Sequence, residues 1–262
     1  MERKFNLKKS PKDVRDFLFA PKPLTVVNLP DAVDLRAKCP AVYDQGTLGS
    51  CTANAGGAAF QIEQMRQGLK PFMPSRLKLY YDERVAENTV KEDAGSTIRT
   101  CVDTLHQLGV CDEKLWIYDI KKFTKKPPKR CYTESVKNKA LEYRKVQQTA
   151  NDVLGCLAEG FPFMLGFQVF ASFQSPMVAK TGIVSMPKRG EACLGGHAVL
   201  AVGYRGLTQL KRFMGNYAGV MVIVRNSWGD AWGQKGYFEI PLEYLLDIDL
   251  ADDFWTVRLV TS

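Results

Sequence analysis

The sequence predicts an α+β fold, helical in its first half and strand-rich in its second. Two observations carry this reading. Apolar positions recur at helical spacing in three segments before residue 110, and four short apolar runs follow after residue 160. Helices grouped ahead of strands, not alternating with them, argue against a parallel βαβ sheet. With 262 residues, 45% hydrophobic and 24% charged, the chain has ordinary globular composition and length for one large or two small domains.

Residues 1–28 read as a polar leader with one apolar cluster, Phe17-Leu18-Phe19, and are too short for a domain. The helical segment 52–67 carries Ala53, Ala55, Ala58, Ala59, Phe60, Ile62 and Met65, and the segment 75–86 carries Leu77, Leu79, Tyr80 and Val85. The third, 96–108, presents Ile98, Cys101, Val102, Leu105 and Leu108, and Gly109 ends it as a C-cap does. A basic stretch follows, with Lys121, Lys122, Lys125, Lys126, Lys129 and Arg130 broken by Pro127-Pro128. It reads as a solvated connector, and a boundary between two halves is expected near 120–130. Residues 161–170, 198–204, 219–224 and 236–240 read as strands.

The formal net charge of +8 raises the question of nucleic acid. The basic stretch lacks interleaved aromatic or base-reading groups, so no nucleic-acid partner is expected, although such a charge steers acidic molecules toward the surface. No apolar run reaches the roughly 18–20 residues a membrane span needs, so no membrane partner is expected. The N-terminus lacks a secretory apolar region and no Asn-x-Ser/Thr site occurs. These features point to a cytoplasmic or virion-associated protein. Seven cysteines, Cys39, Cys51, Cys101, Cys111, Cys131, Cys156 and Cys193, contain no Cys-x-x-Cys, and only His106 and His197 could join them on a metal. Reduced thiols, no metal and no cofactor are the expectation.

Three segments carry chemistry. In Asp44-Gln45-Gly46-Thr47-Leu48-Gly49-Ser50-Cys51, the cysteine follows a glycine-bearing turn at a helix start, where the helix dipole lowers a thiol pKa. A buried, inert thiol fits the same position. In Gly195-Gly196-His197-Ala198, the histidine opens an apolar run and is either a core residue or an acid–base group. In Arg225-Asn226-Ser227-Trp228-Gly229, an amide just past a strand either forms a turn or orients an imidazole, with Trp228 placed to shield that bond from water.

Together these segments resemble the papain-like cysteine proteases. Gln45 stands six residues before Cys51, as that family's oxyanion-hole glutamine stands before its nucleophile, and Asn226-Ser227-Trp228-Gly229 with Trp232-Gly233 is the most specific part. Residues 29–36 look like the start of the family's core, the resemblance covers 29–262, and the wording around Cys51 is closer to bacterial and viral members than to lysosomal cathepsins. It implies two subdomains, a helical half over about 29–125 and a β-rich half over about 126–262, with the active-site cleft between them. The implied activity is endopeptidase cleavage of protein or peptide substrates through a Cys51 thiolate–His197 imidazolium pair and a thioester. Asn226 would hold the imidazole, and Gln45 with the Cys51 backbone N–H would stabilise the oxyanion. The implied substrate-binding positions are Gly49, Gly95, Ser96, Thr97, Ile98, Gly196, Ala198 and Trp228, whose small and apolar character suggests an apolar or aromatic side chain two residues before the cut.

The chain departs from the family pattern in several places. Thr52 replaces the aromatic residue usual after the nucleophile, and Leu48 replaces a cysteine that usually forms a disulfide. His197 lies 197 − 51 = 146 residues after Cys51, but Asn226 lies 226 − 197 = 29 after His197, longer than usual. The surplus falls in residues 205–217, expected near the cleft. The leader is either a short plug, with Phe17-Leu18-Phe19 anchoring in or beside the cleft, or a disordered or surface-bound tail. An exopeptidase or peptide ligase on the same scaffold, or a catalytically silent papain-fold binding protein, are the alternatives; the sequence is silent on oligomeric state.

Overall fold

The computed structural model describes residues 3–11 and 13–261; Met1, Glu2 and Lys12 of the leader and the terminal Ser262 lie outside them. Nine helices among the described residues are α1 (Pro23–Val27), α2 (Cys51–Arg66), α3 (Arg76–Ala86), α4 (Ile98–Gln107), α5 (Lys129–Ser135), α6 (Ala150–Ala158), α7 (Pro176–Thr181), α8 (Gln209–Met214) and α9 (Leu242–Leu246). The strands are β1 (Val33–Asp34), β2 (Ala140–Lys145), β3 (Phe163–Phe170), β4 (Cys193–Arg205), β5 (Met221–Arg225), β6 (Tyr237–Pro241) and β7 (Ala251–Val260). They form one seven-stranded antiparallel sheet in the order β2-β7-β3-β4-β5-β6, with β1 paired to β4. The α+β class is as the sequence predicts.

Local chemistry explains the main elements. Ser75 and Thr97 cap α3 and α4 by accepting the backbone N–H three residues on, so both helices start where their orphan donors are satisfied. Alanine and glycine occupy so much of α2 that it is small on nearly every face and is buried along most of its length. At Gly56 a Cβ would collide with the Cys101 sulfur, so this glycine sets how closely α4 approaches α2. One apolar cluster fills the space under α2, α3 and α4, and a second fills the β-rich half.

The three helices and four strands read from the sequence are all present with shifted ends; β4 begins at Cys193, ahead of the expected 198. The short helices α1 and α5 to α9 and strands β1, β2 and β7 are additional. The surplus 205–217 corrects an expectation. It leaves the Arg205 end of β4, folds into α8, and Arg212 bonds the carbonyls of Val27 and Leu29. His197 sits eight residues back along the same strand, about 26 Å away at roughly 3.3 Å per residue. A strand this long carries the insertion away from the cleft. No helix among the described residues is long and apolar enough to cross a membrane.

Candidate active site

Cys51 is the first residue of α2 and has no exposed surface. The loop before it is tied down from both sides. Ser50 Oγ meets Tyr118 Oη at 2.5 Å, Tyr118 Oη donates to the Gln45 carbonyl at 2.9 Å, and Asn54 Nδ2 donates to the Ser50 carbonyl at 2.9 Å. Gln45 N–H donates to the Ser227 carbonyl at 2.9 Å, and its side-chain oxygen accepts from the Ser227 hydroxyl. Its Nε2 donates to the Leu48 carbonyl at 2.9 Å, which uses one of the two amide hydrogens. The turn that carries Gln45 is thus tied to the segment that carries Asn226.

His197 lies on β4 opposite Phe167 of β3, fully buried. Its Nε2 is 2.9 Å from Asn226 Oδ1. The Ser227 N–H also donates to that Oδ1, at 2.8 Å, which fixes the amide orientation and therefore makes Nε2 the protonated nitrogen. Nδ1 is left without a hydrogen-bond partner. Trp228 stacks on the imidazole at 5.3 Å and 28°, sheltering the His197–Asn226 bond. The backbone N–H of Ala198, the next residue along β4, is directed at the Cys51 sulfur. Strand, helix and turn therefore bring Cys51, His197, Asn226 and Gln45 to one place.

Leader residues lie over this place. Phe5 packs edge-on to His197 at 6.1 Å and against Trp228 at 6.0 Å. Leu7 N–H donates to the Gly196 carbonyl and Lys8 N–H to the Ser96 carbonyl, each at 3.1 Å, so the segment bridges both walls of a cleft. Ion pairs hold it at the sides: Arg3–Asp44 at 2.9 Å, Lys4–Asp93 at 2.6 Å and Lys8–Glu87 at 2.7 Å. A Cβ at Gly49 or Gly95 would strike Asn6, and one at Gly196 would sit 3.1 Å from Leu7 Cβ. Burial under this cover pushes the Cys51 thiol up to about 12, against the opposing pull of three backbone N–H groups. It also pushes His197 down to about 4, outweighing the Asn226 bond, with the Arg3 charge acting in the same direction as burial. Burial therefore works against the charged form of each member of the implied thiolate–imidazolium pair.

The family model of the papain family cysteine proteases matches residues 29–248. The chain belongs to the papain family. It is 43% identical over 246 residues to a peptidase C1-like protein of Acanthamoeba polyphaga mimivirus, covering 90% of this chain and 73% of that one. It is 38% identical to xylellain, a cysteine protease from Xylella fastidiosa, with a TM-score of 0.86 over 98% of both chains. Chymopapain of Carica papaya is 28% identical over 225 residues, 82% of this chain and 56% of chymopapain. As a member of this family the chain is a cysteine protease, a hydrolase acting on protein or peptide substrates.

Against this papain-family framework, five of the eight substrate-binding positions touch the leader: Gly49, Gly95 and Gly196 through the space they leave, Ser96 through its carbonyl, and Trp228 through its ring. Ala198 reaches the site by its backbone N–H alone. Thr97 caps α4, and Ile98 is buried in the cluster against which leader Leu7 packs. The leader expectation is corrected in its anchor. Phe17 and Phe19 exchange backbone hydrogen bonds with Lys145 on β2, and Phe19 is buried in the core of the β-rich half. The residues at the cleft are Arg3, Phe5, Asn6 and Leu7, whose alternation of Phe5 and Leu7 is the strand signal that reveals them. Sequence reasoning also missed the acidic walls, Asp44, Glu87 and Asp93. The leader's seven Lys and Arg against three Asp and Glu, 7 − 3 = +4, is the signal that pairs with them.

Proposed function

We propose that this papain-family protease is a cysteine endopeptidase held in a covered form by its own leader. The single observation that carries the chemistry is the His197 Nε2–Asn226 Oδ1 bond, which leaves Nδ1 without a partner and makes it the nitrogen that would take the Cys51 proton. With the leader displaced, water returns to both groups, and the proton moves from sulfur to Nδ1. The thiolate attacks the substrate carbonyl carbon, and the oxyanion is met by the Cys51 N–H and the remaining Gln45 Nε2 hydrogen. The C–N bond then breaks as Nδ1–H gives its proton to the leaving amine, leaving a thioester on Cys51. Neutral His197 takes a proton from water, hydroxide attacks the thioester, and the acid product leaves with the thiolate restored.

Endopeptidase action is supported by the path of the leader. Its described residues run past Asp44 and Trp228, then Gly196, then Glu87 and Asp252, so an extended chain fits along the groove on both sides of His197. The surplus loop, at the far end of β4, obstructs neither. Cleavage-site profiling of a peptide library by the full chain tests this: cuts inside the peptides support endopeptidase action, and trimming from one terminus only would replace it with the exopeptidase reading. Labelling of Cys51 by an epoxide-type thiol-protease inhibitor, abolished in His197→Ala, tests the chemistry. Labelling spread over several cysteines would favour an inert binding protein.

A further inference from the structure

Beneath Cys51 lies a carboxyl group that the reaction described above does not use. Glu83, on α3, has no exposed surface, and its Oε2 accepts the Thr52 hydroxyl at 2.6 Å. Its Oε1 is buried without a hydrogen-bond partner in the described structure. The groups facing it are Thr52 and Cys51 on α2 and the Cys101 thiol on α4; Arg84 and Glu87 flank it on α3. None of these is a paired cation. Arg84 turns its guanidinium to the carbonyls of Tyr80, Val90, Glu92 and Phe123. A carboxylate buried without a cation or a full set of donors is strongly disfavoured relative to the neutral acid. Thr52 is the residue that stands where the family usually has an aromatic side chain, and its hydroxyl is what receives this acid.

We propose that Glu83 is a positioning residue: through Thr52 it fixes the first turn of α2, and by holding its proton at neutral pH it keeps negative charge away from the Cys51 sulfur. This deepens the peptidase reading and rests on it. Thr52 is adjacent to the nucleophile, and the backbone N–H groups of Cys51 and Thr52 that favour the thiolate belong to the turn its hydroxyl holds. Burial pushes Glu83 up to about 8, with the Thr52 bond the main pull the other way. The sign follows. Below that value the group is neutral and costs the thiolate nothing; above it the carboxylate opposes the charge on sulfur, so thiolate formation is held back on the alkaline side.

The test is the pH dependence of Cys51 alkylation by iodoacetamide, read by mass spectrometry on the full chain carrying Lys4→Ala and Lys8→Ala to loosen the leader. Glu83→Gln is expected to raise the alkylation rate about threefold near pH 9 relative to the parent, half a pKa unit of the thiol, with a smaller difference near pH 7. Thr52→Val, which removes the hydroxyl that holds this turn, is expected to lower the rate near pH 7, where Glu83→Gln leaves it close to the parent. Profiles of both variants that superimpose on the parent, whatever their melting temperatures, would overturn the proposal and leave Glu83 a structural residue only. Peptide hydrolysis measured alongside separates the two ideas. Alkylation that follows Glu83 without any hydrolysis keeps the positioning role and removes the peptidase reading.

Discussion

The backbone N–H of Leu7 donates to the carbonyl of Gly196, the residue before His197, across 3.1 Å. One residue on, Lys8 makes the matching bond to Ser96 on the opposite wall. A peptide bound for cleavage needs the same two carbonyls, since a strand between two walls has few other ways to satisfy its N–H groups. The leader therefore competes with substrate for backbone hydrogen bonds, and its charge pairs add to the hold of Phe5 and Leu7.

Lys4→Ala with Lys8→Ala in the full chain is expected to raise hydrolysis of a fluorogenic peptide about tenfold or more. Each lost pair is partly buried at its acidic end, with Asp93 10% and Glu87 15% exposed, so the removed attraction is larger than that of a surface pair. Equal rates in parent and variant would show that the leader leaves the cleft without help.

The leader's second half has a different role. Phe19 is 3% exposed within the core of the β-rich half, and a Cβ at Gly155 of α6 would sit 2.6 Å from Pro21. Phe19→Ala is expected to destabilise the chain by about 3–5 kcal/mol, as loss of a buried aromatic side chain does. Urea unfolding measures it. The same melting behaviour as the parent would mean that residues 17–28 are dispensable, and with them the anchor.

Acid is expected to open the cover. His197 in the covered form is pushed down from 6.5 to about 4 by burial, whereas in the open pair it already carries the proton released by Cys51. The two forms hold equal numbers of protons until acid reaches the open thiolate; below that point the covered form binds fewer, and its advantage is lost as pH falls toward about 4. Glu87 adds to this lower in the scale: burial raises it, but the Lys8, Ser96 and Thr97 bonds outweigh that and hold it below its usual value, so its hold on Lys8 is lost as pH falls through that lowered value. Limited proteolysis of the leader across this range checks the sign. Protection that increases on acidification would contradict it.

Local motifs drew attention to Gln45, Cys51, His197 and Asn226, a turn before a helix, a glycine pair leading an apolar run and a polar break after an apolar strand, but each alone left a structural reading open, and only the resemblance the three segments make together gave them roles. The path of the leader was not legible. Phe17-Leu18-Phe19 is its most apolar stretch, yet the cleft walls are glycine and carboxylate, which suit a cationic strand bonded through its backbone, while Phe19 found the core. Strand β7 was hidden for a related reason. Asp252, Asp253 and Arg258 interrupt its alternation, and Asp253 adopts a left-handed φ of 60°.

Gln45→Ala is expected to lower kcat about 100- to 1,000-fold with a smaller effect on KM, the pattern of a donor that acts on the developing oxyanion. Because Gln45 also ties the nucleophile loop to Ser227, Ser227→Ala serves as the structural control. It removes that tie while keeping the amide, and is expected to cost far less in kcat. Losses of the same size in both variants would assign Gln45 to loop structure alone.

Asp252 bears on which substrates fit. A Cβ at Gly166 would lie 2.8 Å from Leu7 Cδ2 and 3.1 Å from Asp252 Oδ1, so the side chain at the Leu7 position and this carboxylate border the same space. Leader Lys9 places its Nζ 3.8 Å from Asp252 Oδ2, a cation already drawn to that wall. The small linings alone suggested an apolar or aromatic substrate residue; a carboxylate at the edge of the space extends this to long cationic side chains. Peptides with Arg at the second position before the cut are expected to be cleaved at least as fast as those with Leu, and Asp252→Asn to lower the Arg-to-Leu ratio of kcat/KM about tenfold, the worth of one charge pair near the surface of a protein. Burial raises the Asp252 pKa, as does the charge of Asp253, so the Arg preference is expected to weaken on the acid side earlier than an ordinary aspartate would allow. A ratio unchanged by Asp252→Asn would leave the glycines, and not the carboxylate, as the source of selectivity at this position.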